Sequence, residues 1–146
     1  MSWPSSSVQR PETKARARAL QLLYCWDMSG RPSIETVVDR LAAACGHSAA
    51  GGRHDRGAER AAQAIAGLPE FDRRVADAAE HWRLERVGVV ERNILRLALA
   101  ELAEGATPPR VVIDEAVKLA HWFAGAKAPG FVNGVLDAVA RDSGAL

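Results

Sequence analysis

The stretch VGVVERNILRLALAELAEG, residues 87–105, constrains this chain more than any other. Wound as a helix it is apolar around most of its circumference, and Arg92, Asn93 and Arg96 mark its one polar sector. A helix apolar nearly all round must be covered on most sides. It is therefore expected to be the central, most buried element of a fold built around it.

The rest of the chain supplies the cover. A helix over 11–29 opens on Pro11 and Glu12, a proline and an acid that suit a first helical turn. Its apolar stripe is Ala15, Ala19, Leu22, Leu23 and Trp26. A second helix is capped by Ser33 and ends near Cys45, and a third runs from Arg56 to Gly67. Pro69 opens a fourth, which aligns Phe71, Val75, Ala78, Ala79 and Trp82. After TPPR, a sixth carries Val112, Ala116, Leu119, Ala120 and Phe123; after GAKAPG, a seventh carries Phe131, Val132, Val135, Leu136 and Val139. Sustained alternation at period two is missing, so the class is all-α with seven helices. Residues 1–10 read as a flexible tail, 11–142 as a single helical domain and 143–146 as a frayed C-terminus.

A length of 146 residues suffices for one core, and the net charge of +1 does not by itself call for a polyanionic partner. The distribution says more: Arg10, Lys14, Arg16 and Arg18 stand against Glu12 alone in the first 20 residues. Two cysteines without C-x-x-C spacing suit a reducing compartment, and no run approaches the roughly 20 apolar residues of a membrane span. A cytoplasmic protein is expected.

Nothing in the sequence suggests an enzyme. The four histidines lack H-E-x-x-H spacing, and GAKAPG lacks that of a phosphate-binding loop. Cys45, His47, His54 and Asp55 gather around one loop, but without the paired spacing of structural zinc, so neither metal nor cofactor is expected. The basic start carries more information. On a helical wheel Lys14 and Arg18 lie on one flank of the stripe and Arg16 on the other, and Tyr24 faces away from the core. Cations around an outward aromatic ring suit single-stranded RNA, although a solvated flank has the same composition.

Five other positions stand out. Glu91 and Glu101 fall in the apolar arc of the fifth helix, where each carboxylate needs an arginine, a backbone amide or an opening to a partner. Lys118 and Trp122 are helical neighbours off their stripe, the indole either exposed or packed. Gly134, in a segment patterned as helix, admits a close neighbour or ligand, or is simply tolerated at about 1 kcal/mol.

Four blocks, RARALQLLYCWDMSG, VERNILRLALAEL, PPRVVIDEAVKLAHWF and GFVNGVLDAVAR, together resemble the NusB family in order and separation over roughly residues 14–141. The resemblance implies a helical domain of two small bundles and a non-enzymatic role. That role is transcription antitermination, with boxA-type RNA bound together with the ribosomal protein NusE. The complex joins the elongating RNA polymerase with NusA and NusG, notably on ribosomal RNA operons. Carried over by position, the RNA-binding residues are Lys14, Arg16, Arg18, Tyr24, Phe131 and Asn133, and the partner-binding residue is Glu91. The chain departs from the family where Glu12 and Thr13 interrupt the basic run and Gly130 precedes Phe131. Fewer phosphate contacts make the salt dependence of binding shallower. The competing reading is a helical interaction module that docks NusE or forms a homodimer, with little RNA affinity of its own.

Overall fold

The computed structural model describes residues 10–44, 55–79 and 87–146. Among these residues the chain forms seven helices and no strand: α1 Pro11–Met28, α2 Ile34–Ala44, α3 Arg56–Ala66, α4 Leu68–Ala78, α5 Val89–Glu104, α6 Pro109–Phe123 and α7 Ala128–Asp142. The loop with Cys45, His47 and His54, the N-terminal tail to residue 9 and Trp82 lie outside the described residues.

Local chemistry sets the helix ends. Pro11 and Pro109 occupy first turns, where a missing N–H costs nothing. The Ser33 Oγ accepts the Thr36 N–H at 3.2 Å, and the Asp55 Oδ1 accepts the Ala58 N–H at 3.0 Å. Gly105 closes α5 in the left-handed conformation, φ 76°. Past α1, Arg31 also takes a left-handed φ of 58°; its guanidinium lies 4.8 Å from the Trp26 ring centroid and pairs with Asp27.

α1 packs on α2 and α3, and α7 packs on α4 and α6. Between these two groups lies α5, in contact with α1, α3, α4, α6 and α7. Every residue from Asn93 to Glu101 is buried. Of the polar sector of α5, Arg92 is half-buried while Asn93 and Arg96 are interior: Arg96, 1% exposed, is the largest fully buried side chain among the described residues. The remaining core follows the stripes, with Ala19, Leu22 and Leu23 of α1 and Val132, Val135 and Leu136 of α7 sealed from solvent. Ala78 and Phe123 are only half-buried. A Cβ at Gly134 would meet nothing within 4 Å, so no described neighbour requires that glycine.

Candidate nucleic-acid interface

The outward face of α1 repeats at helical spacing. Lys14, Arg18, Gln21 and Tyr24, four and then three residues apart, share one side. Tyr24 is 43% exposed, Lys14 and Gln21 are exposed, and Arg18 is partly so. This face borders a cleft of about 560 Å³ whose other lining residues are Ala17, Leu20, Val90 of α5 and Phe123 of α6. Ala17 and Leu20 are nearly buried and give it an apolar floor. Cations at a rim attract phosphates, and an apolar floor beside a tyrosine accepts the flat face of a base.

The α1 cations differ in availability. Lys14 has no ion-pair partner among the described residues. Arg18 reaches the Asp55 Oδ2 at 3.4 Å, and its side chain keeps 33% exposure. Its stem lies so close to α3 that a Cβ on Gly57 would overlap the Arg18 Cβ and Cγ.

Arg16 is not on an outward flank, which corrects the helical-wheel reading. It is 6% exposed, and its Nε and Nη2 donate to the two carboxylate oxygens of Glu101 at 2.8 and 2.7 Å. The wheel placed it correctly relative to its own stripe, but α3 and α6 enclose that flank through Arg60 and Glu115. The Arg60 Nη1 lies 3.0 Å from Glu101, and Glu115 lies 3.7 Å from the Arg16 Nη1 while accepting the Thr13 hydroxyl at 3.0 Å. The bonds to Glu101 push the Arg16 pKa up against the effect of burial. Glu101 thus has the arginine its place in an apolar arc required. Arg60 and Glu115 lie on the buried faces of α3 and α6, beside Ala61 and Ala64 and between Val112 and Leu119, and that spacing is the signal that could have marked them in the sequence.

The remaining candidates are dispersed. Phe131 is 8% exposed and belongs to the core, which corrects its expected presentation to RNA, whereas Asn133 is exposed on α7. Glu91 is half-buried, and its carboxylate folds back over Gly88, the residue that caps α5. None of the three lines the cleft. Trp122 is half-buried against the core and meets Phe123 edge-to-face at 6.4 Å, while Lys118 pairs with Glu115 at 3.1 Å. Among the described residues no cluster of His, Cys, Asp or Glu could hold a metal, and no helix is long and apolar enough to cross a membrane.

The NusB family profile matches residues 13–141. The chain belongs to the NusB family. A transcription antitermination protein NusB from Solibacter usitatus is 41% identical over 129 residues, 88% of each chain. The fold agrees as well: T. maritima NusB superimposes with a TM-score of 0.75 at 25% identity, over 92% of this chain and 94% of that one. A chain in the crystal structure of the antitermination factors NusB and NusE in complex with dsRNA gives 0.72 at 28% identity, over 90% and 96%. NusB proteins are non-enzymatic antitermination factors.

Proposed function

We propose that this protein binds boxA-type single-stranded RNA together with the ribosomal protein NusE in the cytoplasm. In that form it joins the elongating RNA polymerase with NusA and NusG and supports antitermination, notably on ribosomal RNA operons. The observation that carries the reading is the α1 face, where Lys14, Arg18, Gln21 and Tyr24 rim an apolar cleft at a place where the family resemblance puts RNA. Lys14 and Arg18 take phosphates, and Tyr24 takes a base. Asn133 extends the RNA contact on α7, and Glu91 faces NusE at the start of α5.

With Arg16 internal, α1 offers few cations, which favours an RNA affinity that depends on the partner. A labelled boxA-type RNA titrated with this protein, with NusE and with both, at two salt concentrations, tests the reading. The mixture should bind more tightly than either protein, and more weakly at the higher salt. Binding by the mixture no better than by NusE would overturn it.

A further inference from the structure

Between Pro11 and Ala19 the apolar residues of α1 after the proline are Ala15, Ala17 and Ala19, all buried, and the Arg18 stem abuts α3 at Gly57. The ion cluster adds directional ties to this packing. Glu101 of α5 holds Arg16 at two points and Arg60 of α3 at a third, and Glu115 of α6 holds Thr13. Thr13 and Arg16, three residues apart, form the inward side of the same turn that carries Lys14 outward. A two-point guanidinium–carboxylate pair is directional, so it admits little rotation of α1 about its axis.

We propose that Glu101, acting through Arg16, is a positioning residue that orients the Lys14–Arg18–Gln21–Tyr24 stripe toward RNA, and that Arg16 itself touches no phosphate. The inference rests on the RNA-binding reading above. Glu101→Gln is nearly isosteric and removes a negative charge. Electrostatics alone would then tighten RNA binding, whereas loss of positioning weakens it.

The experiment titrates labelled boxA-type RNA in the presence of NusE, with helical content checked by circular dichroism. Glu101→Gln should bind about tenfold more weakly, within the range of coupling inside one network. In a Lys14→Ala/Arg18→Ala background the same change should cost no more than about twofold, because the stripe it orients is already stripped. Unchanged or tighter binding by folded Glu101→Gln, or an undiminished loss in that background, would overturn the inference. Should Glu101→Gln not fold, Glu101→Asp, which keeps the charge and shortens the arm, should also weaken binding.

A salt series separates contact from positioning. Lys14→Ala should make the slope of log K against log salt less negative by about 0.7, and Arg16→Gln should leave it unchanged. A slope shallower by about 0.7 for Arg16→Gln would make Arg16 a phosphate ligand and overturn the inference while leaving the RNA reading intact. Failure of the unmutated protein with NusE to bind under all conditions would remove both.

Discussion

Arg96 of α5 and Asp72 of α4 form a two-point ion pair, Nε to Oδ1 and Nη2 to Oδ2, each at 2.8 Å. The remaining Arg96 nitrogen reaches the Asn93 Oδ1 at 2.8 Å and the Asp27 Oδ2 of α1 at 3.1 Å. One buried side chain therefore ties α1 and α4, from the two helix groups, to the central helix. Removing a buried partner strands the opposite charge, so Arg96→Ala should cost about 3 kcal/mol in urea denaturation. Asp72→Asn should cost only about 1 kcal/mol, because the Asp72 side chain is 40% exposed and solvent weakens its share. Equal losses would contradict the assignment of Arg96 as the hub.

The same groups set the response to acid. Burial alone would raise the Asp27 carboxyl, but Arg31 and Arg96 hold it below its ordinary 3.8. The hydrogen bond from Arg60 likewise holds Glu12 below 4.5, with Arg56 assisting against burial. Below these ordinary values the unfolded chain binds protons that the folded chain still resists, so acidification favours unfolding. Their contribution is complete above about pH 5 and is lost as the pH falls through the lowered folded values. Urea midpoints should decline across that acidic window, and Asp27→Asn should start lower and decline less. A midpoint that rises on acidification would contradict this.

Gly57 sits where α3 meets the Arg18 stem. Gly57→Ala should force the two helices apart and cost about 1–3 kcal/mol, the usual range for overpacking. Because the displaced group is a rim cation, RNA affinity measured well below the melting temperature should fall as well. A stable Gly57→Ala protein with unchanged RNA affinity would show that Arg18 tolerates the displacement.

Helix stripes were the legible part of the fold. Leu22, Leu23 and Trp26 share one angular sector, as do Val135, Leu136 and Val139, and periodicity needs no knowledge of the partner surface. Arg16 shows where that ends. A wheel gives its angle from the stripe but not how far neighbours wrap around, and Glu101 lies 85 residues away in sequence. Arg96 shows the same effect, since a polar side chain on a central helix becomes interior once Asp27 and Asp72 close over it. For the site, Lys14 and Tyr24 were readable as outward from spacing, whereas the cleft beside them was not. Its far wall, Val90 and Phe123, comes from two other helices.

Site-mapped photo-crosslinking tests the central claim most directly, using a boxA-type RNA with photoreactive uridines bound to this protein and NusE, and adducts located by mass spectrometry. Adducts should fall on α1 at Tyr24 and its neighbours Gln21 and Arg18, and disappear when unlabelled RNA competes. Competed adducts confined to other helices, with α1 unmodified, would contradict the account.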